Sequence, residues 1–297
     1  MRILLFGATG FIGRHVRERA TGAKVVTVSR TPDAGDVCLD LASAAPVDVA
    51  MLLDDTAPDA VINCFGVTRG DASEMVAANV VSVSILVRGL AAARRSGIRL
   101  VHLGSAAEYG AVPMGRPITE AARPNPVGPY GITKLAGSEI IRNSWLDGVV
   151  LRVFNPVGPG LPVSTLPGRV AVELRRPGGE IRVGSLASYR DFVDVRDVAD
   201  AAFAAACTPG PLPRVLNVGS GRATPLREVV QTLVRISGAD RPVVESIEPG
   251  AAGSARSAGV RWQQAHVGAI GRTLGWRPAT GLNTSLHDLW KEAACLA

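Results

Sequence analysis

The sequence predicts an α/β fold: a doubly wound, mostly parallel sheet followed by a smaller α/β region toward the C-terminus. Three observations carry this. Short apolar runs rich in Val, Ile and Leu alternate with longer amphipathic segments, the pattern of right-handed βαβ units. A glycine-rich turn follows the first apolar run at once. After Asn155 the texture changes to Pro- and Gly-rich sequence and then to shorter elements.

The elements follow in order. "RILLFG" (Arg2–Gly7) reads as a buried strand and "FIGRHVRERATG" as a helix stopped by Gly22. "KVVTVSR" (Lys24–Arg30), "DAVINCFG" (Asp59–Gly66) and "IRLVHLGSA" (Ile98–Ala106) are the next strands, with a long amphipathic helix over about Ala72–Ser96 between the last two. "YGITKLAGSEIIRNSW", after Pro129, has helical apolar spacing, and "GVVLRVFN" (Gly148–Asn155) is a further strand. "PVGPGLPVSTLPG" reads as loop. The aspartates Asp191, Asp194, Asp197 and Asp200 suit a strand edge leading into a helix N-terminus better than a calcium loop. From about Pro209 the tail mixes short strands and helices.

Composition narrows the function classes. The chain has 297 residues, 47% hydrophobic, so a sizeable core can form. The net charge of +6 suits anionic partners, but the arginines are scattered, paired only at Arg94–Arg95 and Arg175–Arg176, so no nucleic-acid partner is expected. Cys38, Cys64, Cys207 and Cys295 lie far apart without a CxxC, which argues against a zinc site and for a reduced, cytoplasmic protein. His15, His102, His266 and His287 are isolated and read as structural, and no metal is expected. The apolar start is too short for a signal peptide, and no run of ~18 apolar residues is seen, so no membrane span is expected. Trp145, Trp262, Trp276 and Trp290 are expected to pack in the core or the C-terminal region.

"GATGFIG" places Gly7, Gly10 and Gly13 between a strand and a helix. There the first permits a tight turn, the second a close approach to a pyrophosphate, and the third helix–sheet packing. The free N–H groups of the helix start attract phosphate. Gly7, Thr9, Gly10, Phe11, Ile12 and Gly13 are therefore the candidate dinucleotide contacts of a Rossmann-like domain. The second strand ends Ser29-Arg30-Thr31, without an acid for a ribose 2′-hydroxyl until Asp33. A hydroxyl and a guanidinium suit a 2′-phosphate, so NADP(H) is favoured and NAD(H) is the alternative.

Tyr130 and Lys134 share a helix face, although the chain holds only three tyrosines and three lysines. A phenol with an ordinary pKa of about 10 is a poor proton carrier at neutral pH. A nearby ammonium favours the phenolate, and as a compact point charge it can also bond ribose hydroxyls. Ser105, at a strand C-terminus, is the natural donor to a substrate oxygen.

With "GSAAEYG", "PYGITK", "LRVFNPVGPG", "YRDFVDVRDVADA", "LNVGSG" and "LGWRP" following "GATGFIG" in order, the chain resembles the extended short-chain dehydrogenase/reductase family, in its nucleotide-sugar epimerase/dehydratase branch. The resemblance implies Ser105, Tyr130 and Lys134 as a catalytic triad, Asp40 and Leu41 near the adenine, and Asn79 as a structural asparagine. It implies phosphate or substrate contacts at Asn155, Arg190 and Arg256, although Arg190 could instead pair with Asp191 or Asp194. A cofactor domain of residues 1–155 with about 189–216, and a substrate domain of 156–188 and 217–297, are expected. So is a homodimer through Ala72–Ser96 and Tyr130–Trp145. Dehydratases of the family carry Thr-Asp-Glu where this chain reads Ser105-Ala106-Ala107-Glu108, which makes elimination improbable. Ala107 also lacks a hydroxyl that many 4-epimerases use. The expected function is NADPH-dependent reduction of a nucleoside-diphosphate 4-keto-6-deoxysugar. A 4-epimerase retaining NAD is the runner-up, and a non-catalytic dinucleotide sensor is third.

Overall fold

Alternation along each strand lets one sheet serve two cores. In β1 (Arg2–Phe6), Ile3 and Leu5 face one side while Leu4 and Phe6 face the other. A computed structural model describes residues 1–32, 34–245 and 259–293. Along the chain α1 (Phe11–Arg19), β2 (Lys24–Ser29), β3 (Val37–Cys38), α2 (Pro46–Thr56) and β4 (Ala60–Asn63) follow β1. Next come α3 (Ala72–Val76), a π-helical turn at Ala77–Val81, α4 (Ser82–Ala92), β5 (Arg99–Ser105), α5 (Pro129–Arg142) and β6 (Gly148–Val153). The sequence then runs through β7 (Asn155–Val157), α6 (Leu166–Arg175), β8 (Ile181–Val183), β9 (Tyr189–Asp194), α7 (Val195–Cys207) and β10 (Val215–Val218). It closes with β11 (Ala223–Pro225), α8 (Leu226–Ser237), β12 (Val243–Glu245), α9 (Gly268–Leu274) and α10 (Leu282–Glu292).

Seven strands form the main sheet in the order β3-β2-β1-β4-β5-β6-β10, every pair parallel. The order reverses direction between β1 and β4, the point where such sheets open a crevice for ligands. On one face α1 and α7 cover Ile3, Leu5, Ile62, Val101 and Leu151. On the other, α2, α4 and α5 cover Leu4, Phe6, Val61, Leu100 and Val150. A third core lies apart, where α6, α8 and α10 enclose Val170, Val229, Leu233 and Leu286. Beside it run the small sheet β11-β9-β7 and the pair β12-β8. The doubly wound parallel sheet and the smaller C-terminal α/β unit are thus both present.

Several boundaries differ from expectation for identifiable reasons. The long helix over Ala72–Ser96 is interrupted by the π turn and ends at Ala92. Asp71 and Glu74 cap its start reciprocally. By length and composition Ala72–Ala92 could cross a bilayer, contrary to the reading that no such run exists. Its Val83, Leu86 and Leu90 are instead buried against the sheet, and Gly89 brings it so close to α2 that a Cβ would lie 2.5 Å from Val49. The strand expected to run through Asn155 stops at Val153, and Asn155 opens β7 in a different sheet. Trp276 is buried and donates through Nε1 to the Asp197 carbonyl at 2.9 Å, and Trp290 stacks under Arg175. Trp145, expected to pack, is 77% exposed because it follows the end of α5.

Asp191, in β9, fastens the C-terminal loops to the small sheet. Its buried carboxylate accepts from Ser220 N (2.6 Å), Ser220 Oγ (2.7 Å), Gly221 N (2.9 Å) and Ala265 N (2.9 Å). Asp191→Ala strands four donors in or near the interior. We expect urea unfolding to show a loss of at least about 3 kcal/mol, since each orphaned buried donor costs about 1–3 kcal/mol.

Candidate active site

Gly7, with φ +74°, turns the chain at the end of β1, and a Cβ there would lie 2.8 Å from Phe65 N. A Cβ on Gly13 would sit 2.0 Å from the Gly7 carbonyl, so α1 can pack on this turn only without one. At Gly10 a Cβ would meet nothing closer than 3.3 Å, and as N-cap it offers no side-chain acceptor to the helix N–H groups. The start of α1 is thus bare backbone, exposed at Thr9 and Gly10, and fits a dinucleotide pyrophosphate. Phe11 packs toward the third core and Ile12 toward the first. At the end of β2, Ser29 is buried with its Oγ accepting from Thr31 N at 3.1 Å, while Arg30 is exposed. Asp33 lies outside the described residues. Asp40 closes a turn by accepting from Ala42 N at 3.1 Å, and Leu41 is buried.

The Tyr130–Lys134 pair occupies the first turns of α5, with Pro129 at the helix start. Tyr130 is half-buried and Lys134 is buried. Lys134 Nζ donates to the Leu103 carbonyl at 2.6 Å and lies 3.4 Å from His102 Nε2. Both acceptors belong to β5, the strand that ends in Ser105. The lysine therefore reaches back from the helix to the strand that carries the serine. Removal from water lowers its pKa from the usual 10.5 to about 8, with Glu108 and Cys64 acting the other way. Burial and the neighbouring ammonium hold His102 well below its ordinary range, so it stays neutral. Burial pushes the Cys64 thiol up to about 12. His102 Nδ1 in turn lies 3.2 Å from Asn63 Nδ2.

Asn79 explains the π turn. Its buried amide accepts from Val67 N (3.0 Å) and donates to the Val67 carbonyl (3.0 Å) and to Thr133 Oγ1 (3.1 Å). One side chain thus ties the loop after β4 to the helix residue next to Lys134. π turns frequently mark functional sites because they re-aim a residue in this way. The glycine turn, the β4 loop and Lys134 form one continuous surface: Gly7 abuts Phe65, and a Cβ on Gly66 would be 3.8 Å from Lys134 Nζ.

Ser105 ends β5, and its Oγ accepts from Ala107 N at 3.1 Å. Glu108 turns inward. It is fully buried, pairs with Arg152 Nε at 2.7 Å and also accepts from Ser105 N and Ser138 Oγ. Together with Ala106 and Ala107, this leaves the loop without an acid–base pair for elimination.

Toward the C-terminal unit, Asn155 donates to the Asp191 carbonyl (3.0 Å) and to Gln263 Oε1 (3.2 Å). Arg190, which the sequence left free to pair with Asp191 or Asp194, pairs with neither. Asp191 serves the loops described above, and Asp194 pairs with Arg196 at 2.8 Å. Arg190 is buried and donates to the Tyr189 and Val260 carbonyls, both at 2.8 Å. Among the described residues no carboxylate offsets its charge, and burial lowers its pKa to about 10. A buried guanidinium is costly to leave without a charged partner. Arg256 lies outside the described residues.

His102, Glu108, Asn63 and Ser138 are the members that residue patterns did not single out. His102 could have been found by noting that it sits three residues before Ser105 on the same strand. The Glu108–Arg152 pair, 44 residues apart, has no local signal. Because the chain contains three lysines, selective isotope labelling resolves each. We expect one signal to titrate near pH 8, lowered by burial of the ammonium, and to vanish in Lys134→Met.

Residues 3–219 match the model of the NAD-dependent epimerase/dehydratase family. The chain is 36% identical over 306 aligned residues to dTDP-6-deoxy-L-talose 4-dehydrogenase (NAD(P)+) of Kitasatospora kifunensis, covering 97% of this chain and 94% of that protein. It is 28% identical to GDP-6-deoxy-D-mannose reductase of Pseudomonas aeruginosa, covering 98% and 96%. The solved structure of RMD from Pseudomonas aeruginosa complexed with NADPH superposes with a TM-score of 0.84 at 25% identity, covering 100% of this chain and 98% of that one. By its sheet order, its glycine turn, its Ser–Tyr–Lys arrangement and this match, the chain belongs to the NAD-dependent epimerase/dehydratase family of extended short-chain dehydrogenases/reductases.

Proposed function

We propose that this enzyme is an NADPH-dependent reductase of a 4-keto-6-deoxysugar attached to a nucleoside diphosphate. The observation that carries the reading is the buried Lys134 ammonium on the helix of Tyr130, anchored to the strand of Ser105, beside a loop that lacks an elimination acid. The dTDP-6-deoxy-L-talose dehydrogenase and the GDP-6-deoxy-D-mannose reductase, matched over nearly their whole length, support it by name.

Gly7, Thr9, Gly10, Phe11, Ile12 and Gly13 would hold the pyrophosphate of the cofactor, with Ser29 and Arg30 at a 2′-phosphate and Asp40 and Leu41 near the adenine. Bound NADPH supplies hydride to the sugar carbonyl carbon. Tyr130 donates its phenolic proton to the carbonyl oxygen, so that a C–H and an O–H bond form together and an alcohol results. Ser105 donates a hydrogen bond to the same oxygen and orients it. Lys134 stabilises the phenolate left on Tyr130 and bonds the ribose. Arg190, with Asn155 beside it and Arg256, binds the diphosphate. The 4-epimerase reading is disfavoured by Ala107, which offers no hydroxyl to the sugar. Residues 1–155 with 189–216 would form the cofactor half and the remainder the substrate half.

A homodimer would use the helices Ala72–Ala92 and Pro129–Arg142. Their exposed Val76, Val81 and Ile132, with the fully displayed Trp145, support it. Cys38, Cys64 and Cys207 are free thiols, which fits the cytoplasm.

Turnover of nucleoside-diphosphate 4-keto-6-deoxyhexoses with NADPH and NADH tests the reading. Reduction of at least one, with NADPH preferred, supports it. Tight NAD retained through purification with interconversion of 4-epimers would replace it. Tyr130→Phe should lower kcat by at least about 100-fold, the scale of a lost general acid, with NADPH affinity unchanged. Arg190→Leu should raise KM for the nucleotide sugar at least about tenfold through loss of a charged phosphate contact.

A further inference from the structure

Glu108 occupies the site's interior without any role in the chemistry above. Its carboxylate joins three separate elements. Oε1 accepts from Ser105 N at 2.7 Å, at the end of β5. The same oxygen accepts from Ser138 Oγ at 2.9 Å, and Ser138 lies one turn beyond Lys134 on α5. Oε2 accepts from Arg152 Nε at 2.7 Å, on β6. The Arg152 guanidinium lies over the Tyr109 ring, 4.6 Å from its centroid, and Tyr109 donates its hydroxyl to Asn217 Oδ1 at 2.7 Å. The arrangement has been given room: a Cβ on Gly104 would fall 2.7 Å from Glu108 Oε1 and 3.3 Å from Ser138 Oγ.

An ion pair this deeply buried contributes little to stability compared with apolar residues of the same size. Its value lies in geometry. Proton transfer to the substrate oxygen needs Ser105 and Tyr130 at matched distances from one atom, and they stand on different elements. We propose that Glu108 is a positioning residue, whose buried carboxylate clamps the main chain of Ser105 to helix α5 and so fixes the serine hydroxyl relative to the Tyr130–Lys134 pair. Burial raises the pKa of this carboxyl, and the Arg152 contact, with Lys134 and the Ser105 N–H, works against that rise in favour of the acceptor-only carboxylate. This rests on the reductase reading for its kinetic consequence, while the clamp itself is independent of substrate.

The charge has a second effect. Lys134 is faced by His102 of β5, Cys64 after β4 and Glu108 after β5, with Tyr130 one turn earlier on its own helix; of these, Glu108 favours the ammonium most strongly. Removing its charge moves deprotonation of Lys134 to lower pH.

Glu108→Gln and Ser138→Ala test the clamp in the full-length protein. Ser138→Ala retains the ion pair and should fold normally. We expect its kcat to fall about 3- to 10-fold, the worth of one typical hydrogen bond. KM and NADPH Kd should stay within about twofold, because the binding groups remain. For Glu108→Gln we expect a fall in kcat of about 100-fold, at the scale of misplaced catalytic groups. Its Lys134 NMR signal should titrate at least about half a pH unit lower through the lost Coulomb interaction. Full kcat in Ser138→Ala, or a folded Glu108→Gln whose Lys134 titration is unmoved, overturns the proposal. So does a Glu108→Gln protein in which kcat falls only in proportion to lost NADPH binding. If Glu108→Gln does not fold, Ser138→Ala decides. A wild-type protein that reduces no 4-keto sugar defeats the reductase reading instead, and the Lys134 titration in Glu108→Gln still tests the charge that Glu108 presents to the lysine.

Discussion

The site depends on one buried ammonium. Lys134 leaves water to lie under the rim of the sheet, where the Leu103 carbonyl and His102 receive it. Desolvation of a lone cation is costly, and the protein meets that cost with oriented dipoles rather than with a directly paired carboxylate. The balance leaves the lysine poised near neutrality instead of fully charged at every physiological pH. A solvated lysine would be screened and would do little for a phenol one helical turn away. An ammonium in low dielectric acts on it strongly.

The rest of the fold can be understood as support for that placement. The parallel sheet ends its strands along one rim, so β1, β4 and β5 deliver the glycine turn, Gly66 and Ser105 to the same crevice. The π turn lets Asn79 reach both the β4 loop and α5. Glu108 and Arg152 brace the floor from behind. On the far side, β7 leaves the main sheet after Val153 and joins β9, which brings Asn155 and Arg190 onto one small sheet. The cation at Arg190 and the one at Lys134 are both buried, yet they differ in purpose. The first donates to two carbonyls and, among the described residues, has no carboxylate partner. The second is proposed to tune a neighbouring phenol.

Much of this was legible in the sequence because it is local. The strand–glycine turn–helix unit, the Tyr–x–x–x–Lys spacing and the serine at a strand end are each written within a few residues, and all fall where expected. The parallel pairing follows from the alternation of strands and helices, since right-handed βαβ crossovers join parallel strands. What was not legible is long-range or conformational. Nothing near Glu108 announces Arg152, and nothing near Asn79 announces Val67 or Thr133 as its partners. The helix Pro46–Thr56 went unread because its apolar face is short and Ala45, at its N-cap, carries no capping side chain, although Pro46 and Asp48 mark its first turn. The split of strand Gly148–Asn155 at Phe154 could not be seen because both halves carry strand-forming residues. Trp145 illustrates the opposite error: size and apolarity suggest burial, but its position beyond the helix end leaves it in solvent.

The central claim is that catalysis runs on the protonated form of Lys134. The pH dependence of kcat/KM for 4-keto sugar reduction by the wild-type protein addresses it most directly, since that quantity reports ionisations of the free enzyme. The account predicts an alkaline fall with a midpoint near pH 8, where burial sets the lysine. A profile that stays flat to about pH 10, the range of an unperturbed lysine, would contradict it.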